Sequence, residues 1–118
     1  MSIQFSDNER WLIAAIDKKL LDDDLLQMLV PAITEAVDRS PKSVILDITN
    51  VQFLPSLGIG TLVKLQTELK KRQQRLLIAG VHANIRKVLA ITRLDKLFDL
   101  NDSLDAAVTK LQTPAAAE

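Results

Sequence analysis

The sequence predicts one α/β domain with a mixed, mostly parallel sheet of four to five strands and about four helices. Three observations carry that expectation. Ser43 to Ile48 and Arg75 to Gly80 are short apolar bursts of the kind shown by strands buried on both faces. One long helical pattern lies between them, so strand, helix and strand form a right-handed crossover to a parallel neighbour. At 118 residues and 47% apolar content, the chain fills one modest core and leaves too little for a second.

The elements follow in order. Trp11 to Ile16 is apolar without helical spacing, and Ile3 to Phe5 is expected to pair with it across a turn at Asp7-Asn8, giving an N-terminal β-hairpin. Asp22, Asp23 and Asp24 open a helix in which Leu25, Met28, Leu29, Ile33, Ala36 and Val37 recur at steps of three and four. The three carboxylates suit the positive end of its dipole, and N-capping explains them better than a calcium loop, which needs spaced carboxylates and a glycine turn. Pro31 removes a donor from this helix, so a kink or restart is expected there. In the long central helix Ile59, Leu62, Val63, Leu65 and Leu69 make the apolar stripe, while Lys64, Glu68, Lys70, Lys71 and Arg72 face out. Cations from Lys70 to Arg75 complement its negative end. A third helix fits Asn84 to Ile91 with Asn84 as cap, a short strand follows near Leu97 to Leu100, and a last helix opens at Asn101 or Asp102 with Leu104, Ala107, Val108 and Leu111 as its stripe. The domain is expected over residues 1–112, with 113–118 a disordered C-terminal tail.

Composition narrows the function classes. Fifteen basic residues balance fifteen acidic ones, and aromatics are only 3% of the chain, so neither a basic field nor a stacking platform points to nucleic acid. Cysteine is absent and His82 is the only histidine, which removes disulfides, thiolate metal sites, cysteine nucleophiles and histidine-pair chemistry. His82 itself is expected in the turn after Gly80-Val81. No apolar run approaches the roughly 18 residues that span a bilayer, and Met1 to Arg10 carries neither a basic leader nor an apolar stretch, so a cytoplasmic protein without a membrane span is expected. Without a phosphate-cradling loop, spaced metal ligands or a nucleophile-base set, the chain is expected to be no enzyme and to need no cofactor or metal.

Attention falls instead on the connection from Thr49 to Gly60. In an open α/β sheet, loops leaving the carboxyl ends of parallel strands are where ligands and partners bind. Ser56 stands where an N-cap belongs, its hydroxyl placed to accept from the amide of Gly58 or Ile59, and Pro55 disfavours helix at Leu54. Gly58 and Gly60 in the first turns each weaken a helix by about 1 kcal/mol relative to alanine. Either the helix packs tightly on the sheet there, or another backbone approaches its uncovered end. Asp47 ends the strand at the same edge, to hydrogen-bond loop amides or to face a partner. Trp11 is expected as a core or edge-strand anchor.

These residues resemble a known family. Val44 to Leu54, the turn Ser56-Leu57-Gly58-Ile59-Gly60, Arg75 to Val81 and Ile85 to Phe98 look, in order and spacing, like the STAS domain of bacterial anti-sigma-factor antagonists, over roughly residues 40–100. The resemblance implies a STAS-like fold and a regulatory protein-binding module. In that family the turn usually reads Asp-Ser-Ser-Gly, and its first serine is phosphorylated by a partner that is both serine kinase and anti-sigma factor. That position maps onto Ser56, and the motif glycine onto Gly58. The unmodified protein binds the partner and frees the sigma factor, phosphorylation releases the partner, and a phosphatase resets the switch. Pro55 stands here in place of the family's aspartate and Leu57 in place of the second serine. Relatives that assemble into large stress-signalling complexes also carry an apolar residue at the latter position. The residues expected to meet the partner are Asp47, Asn50, Pro55, Ser56, Leu57 and Gly58. The alternative is a STAS scaffold or accessory subunit of a stress-signalling complex or membrane transporter, and self-association stays open.

Overall fold

The computed structural model describes residues 3–19 and 21–112. Five strands form one sheet in sequence order: β1 (Ile3–Asp7), β2 (Trp11–Ile16), β3 (Ser43–Asp47), β4 (Leu76–Ala79) and β5 (Asp99–Asn101). Helices α1 (Asp23–Arg39), α2 (Ser56–Lys71) and α3 (Ala83–Ile91) connect the parallel strands in turn, and α4 (Leu104–Gln112) follows β5. The expected hairpin is present: β1 runs antiparallel to β2, with Ile3 opposite Ile16 and Asp7 opposite Leu12. The remaining pairs, β2–β3, β3–β4 and β4–β5, are parallel. The tail after Gln112 lies outside the described residues.

Side chains alternate across the pleat, and this period of two divides the core. Val44 and Leu46 of β3, with Leu76 and Ile78 of β4, join the apolar faces of α1, α2 and α3 in the larger cluster. Ile45, Leu77 and Ala79 point the other way, onto Trp11 and the Ala107 face of α4. Both faces of the central strands are therefore covered, which is why their sequences read as unbroken apolar runs. Trp11 is a core anchor of the second face.

Several local expectations are corrected. α1 continues through Pro31 without a restart; Gln27 and Pro31 are both exposed, so the carbonyl that loses its donor lies on the solvent side, while buried Leu29, Val30 and Ile33 hold the helix to the sheet. Met28, expected in the apolar stripe, is 43% exposed, and Leu26 and Val30 are buried instead. The α3 cap position is His82 rather than Asn84, and β5 begins at Asp99 rather than Leu97. Asn101 does not open the last helix. It is buried in β5, its Nδ2 donating to Ile78 O at 3.4 Å and Asp99 O at 3.1 Å, and Ser103 Oγ accepts the α4 bond from Ala106 N. The Asp22 cap is as expected, with Oδ1 accepting from Leu25 N at 2.8 Å.

Arg72 fastens α2 to α1. Its guanidinium forks onto Asp38 at 2.7 and 3.2 Å and reaches Glu68 Oε1 at 3.1 Å. The hydrogen bond from Arg72 holds the Asp38 carboxyl below the usual range, and bonds from Lys71 and then Arg72 do the same for Glu68.

Because β2 to β5 are parallel, the segments that follow them all emerge at one end of the sheet, and two of these cross in van der Waals contact. Gly80 has φ +72°, and a Cβ on it would lie 2.1 Å from Thr49 Oγ1 and 2.7 Å from Thr49 Cα. No side chain fits between the β3–α2 and β4–α3 connections. Gly80→Ala is accordingly expected to cost about 2 to 4 kcal/mol, from left-handed backbone strain plus overpacking against backbone that cannot yield. A denaturant midpoint indistinguishable from wild type would contradict this contact.

Candidate functional site

The connection between β3 and α2 is built by a repeat of three. Ile48, Val51 and Leu54 turn inward, at 1, 0 and 5% exposure, and leave Thr49, Asn50, Gln52 and Phe53 to solvent. Its backbone is tied on both sides. Ile48 N donates to Ala79 O at 2.9 Å, and Gln52 N and Phe53 N both donate to Lys19 O of the β2–α1 connection. Asp47 Oδ1 accepts from Thr49 N at 3.0 Å and from the Thr49 hydroxyl, so its carboxylate serves its own turn, one of the two roles anticipated for it. His82 Nε2 lies 3.1 Å from Thr49 O, a second tie between the two crossing connections.

Ser56 is not the cap. It is the first residue of α2, and Pro55 occupies the cap position with φ −70° and no side-chain capping bond. Pro55 O instead accepts from Gly58 N at 2.8 Å and Ile59 N at 3.2 Å. The physical reason lies in proline, whose fixed φ near −65° and missing donor suit the residue that leads into a helix. The consequence for Ser56 is chemical. Its side chain is exposed and not committed to capping, at the positive end of a helix whose first turn carries no acidic residue.

The residues expected at the site separate by exposure. Asn50, Ser56 and Leu57 are exposed, Leu57 by 54%; Pro55 is half-buried; Gly58 is buried. The two glycines also part company. A Cβ on Gly58 would lie 2.7 Å from Leu54 Cδ1, so tight packing explains that glycine. A Cβ on Gly60 would meet nothing within 4 Å, and the fold gives no internal reason for the roughly 1 kcal/mol that glycine costs a helix. Two residues not expected at the site also lie exposed along this segment: Phe53, 59% exposed and four residues before Leu57, and Lys64, one turn beyond Gly60. Phe53 was recognisable in principle as the aromatic left between the inward positions 51 and 54.

Two concavities flank the turn. One, about 390 Å³, lies between α1 and α2 and reaches Leu57, Gly60 and Lys64; the other, about 340 Å³, lies between Phe53 and the Ile85, Val88 and Ile91 face of α3. On the remaining side Asp17, Lys18, Lys19, Thr49, Asn50 and Gln52 form a polar rim. Lys18 there is paired with Asp22 at 2.7 Å, and that bond first, then the Leu25 amide, holds the Asp22 carboxyl below its ordinary range. The arrangement offers an exposed hydroxyl and an apolar residue on a helix start that follows a connection tied to neighbouring segments at residues 48, 49, 52 and 53. No described helix is long and apolar enough to cross a membrane.

Comparison with known proteins agrees with this architecture. The model of the STAS domain family matches residues 10–107. Among solved structures, the chain is similar to an anti-sigma-factor antagonist (STAS) domain protein from Planctomyces limnophilus, with a TM-score of 0.81, 17% identity and coverage of 94% of this chain and 98% of that one. It is also similar to an anti-sigma factor antagonist from Mycobacterium paratuberculosis, at TM-score 0.75 and 26% identity over 94% and 93% of the two chains. A sulfate transporter family protein from Wolinella succinogenes matches at TM-score 0.75 and 19% identity, covering 85% and 83%.

The missing capping bond makes a prediction. Replacing a true serine cap by alanine costs about 1 kcal/mol; Ser56→Ala should change unfolding free energy by less than about 0.5 kcal/mol, as at an ordinary surface position. A urea-unfolding loss of 1 kcal/mol or more would mean that Ser56 caps α2 in solution.

Proposed function

The chain belongs to the STAS domain family, and on that footing we propose that it is a regulatory, non-catalytic binding module of the anti-sigma-factor-antagonist type. It docks an anti-sigma factor through the start of α2 and so governs transcription. The observation that carries this reading is the exposed Ser56-Leu57 pair at the end of a connection whose backbone is tied at residues 48–53, with a second exposed apolar side chain, Phe53, on that connection. An apolar residue next to a modifiable hydroxyl gives both affinity and a means of abolishing it. Asn50 and Pro55 stand at the rim of the same contact; Asp47 and Gly58 support it from beneath by shaping the turn.

In this reading the partner is also the serine kinase. The Ser56 Oγ takes the γ-phosphoryl group of the kinase's ATP, its proton leaves and ADP departs; a phosphatase later hydrolyses the ester and restores the hydroxyl. Pro55 supplies no carboxylate beside the acceptor, so the groups that orient Ser56 would all come from the kinase. The effect of the phosphate follows from magnitudes. At a helix start it gains about 0.3 to 1 kcal/mol from the dipole, so it leaves the free domain folded. In a contact built around Leu57 and Phe53, about two added negative charges oppose association by several kcal/mol, and each 1.4 kcal/mol is tenfold in affinity.

A second reading, a scaffold or accessory subunit of a stress-signalling complex or membrane transporter, draws on the apolar Leu57, which suits a lasting contact. Sedimentation of the native protein from its host separates the two: a large constitutive particle or membrane association favours the second.

The test of the first uses tagged full chain. Wild type should recover a kinase-like anti-sigma protein from host extract, and Ser56→Asp should bind that purified partner at least about tenfold more weakly while keeping the same melting temperature within a few degrees. Equal affinity with the fold intact would remove the switch, and a well-folded bait that recovers no regulator would remove the antagonist reading.

A further inference from the structure

We propose that the groove between α1 and α2 is a self-association surface, filled by helix α1 of a second copy of this chain. Four features that the fold leaves unexplained fit one another. Met28 is apolar yet 43% exposed on α1. Glu35 lies seven residues on, also exposed, and no cation among the described residues pairs with it. Gly60 leaves open space above α2, and Lys64, the charged side chain among those lining the groove, has no carboxylate partner among the described residues.

The spacing is what joins them. Residues seven apart share a helix face and stand about 10 Å apart along its axis. Met28 and Glu35 form such a pair on α1, and Leu57 and Lys64 form such a pair on α2, with Gly60 between. Laying α1 of one copy along the groove of another sets Met28 against Leu57 and the gap at Gly60, and brings Glu35 to Lys64. A glycine in the floor lets a second helix approach closely, which gives this helix-weakening residue a use. Of the remaining lining, Gln27 and Thr61 are polar but uncharged, and Leu26, Val30 and Pro31 give an apolar stretch that matches a thioether better than a charged group. Because the groove belongs to α1 and α2 and the ridge belongs to α1, a two-fold axis lets each copy donate to the other, so the contact closes as a dimer instead of propagating. Leu57 belongs to this contact as well as to the start of α2. Self-association and docking of another protein at Ser56 therefore exclude each other, although the dimer itself stands on its own observations.

Sedimentation equilibrium of the full chain tests this. Wild type should show a concentration-dependent monomer–dimer equilibrium that weakens as salt rises. Glu35→Lys and Lys64→Glu should each weaken it at least about tenfold, and the double swap should recover most of the loss, a rescue that a purely structural role would not give. Gly60→Leu should abolish the dimer, while Gly60→Ala should weaken it and raise the melting temperature of the monomer by about 3 to 6 °C. A monomer at every accessible concentration, or a dimer indifferent to these substitutions with each variant folded by circular dichroism, would overturn the proposal.

Discussion

Residue 80 has no side chain, and the geometry of the end of the sheet that carries the β3–α2 connection depends on that. With φ +72° and Thr49 Cα at 2.7 Å from where a Cβ would be, Gly80 lets the segment leaving β4 pass directly over the one leaving β3. Its amide donates to Asn101 O, which ties the same point to β5, and His82 reaches Thr49 O from the other side. The connection that leads to Ser56 is held by Ala79, by His82 and, on its other side, by Lys19 of the β2–α1 connection. A loop so fixed presents its exposed residues with little entropy left to lose on binding, which is the physical meaning of a preformed contact surface.

Within that frame, residues divide their tasks at short range. Ile48, Val51 and Leu54 anchor the connection in the larger apolar cluster, and the residues between them face out. Pro55 leads the chain into α2 and supplies the carbonyl for its first bonds, which releases Ser56 from capping. Gly58 clears Leu54, whereas Gly60 clears nothing inside the molecule. The same segment therefore holds one glycine set by packing and another that the packing does not require. Exposed Leu57 and Phe53 and the uncommitted Ser56 hydroxyl likewise have no duty inside the fold, and the proposed function rests on them.

Much of this was legible in the sequence, for definable reasons. The order of strands and helices, the hairpin and the two-sided burial of β3 and β4 follow from periodicity, which is a direct record of burial. Elements whose boundaries shifted are those governed by single polar groups: Ser103 rather than Asn101 or Asp102 caps α4, and Pro55 rather than Ser56 leads into α2. A cap can be offered by any of several neighbouring residues, and only the path of the chain chooses among them. Pro31 does not restart α1, because the carbonyl that loses its donor faces water. Met28 misled because helical spacing marks a face some 100° wide without saying where its edges fall. The crossing of Gly80 over Thr49 joins residues 31 apart in sequence, and no local pattern announces it. For the candidate site, the turn before α2 was legible as an exposed loop at the strand ends; the open space at Gly60 and the unpaired charge on Lys64 were not, since both are statements about what is missing around a residue.

The central claim is that the start of α2, held from below by the crossing of two connections, is the face that meets a protein partner. Amide hydrogen exchange of the full chain, free and saturated with the recovered anti-sigma partner, tests it most directly. Slowed exchange should be confined to the 49–61 segment and the neighbouring surfaces of α1 and α3, with α4 and the β1 edge unchanged. Protection that falls on α4 or β1 while residues 53–61 exchange as before would contradict it.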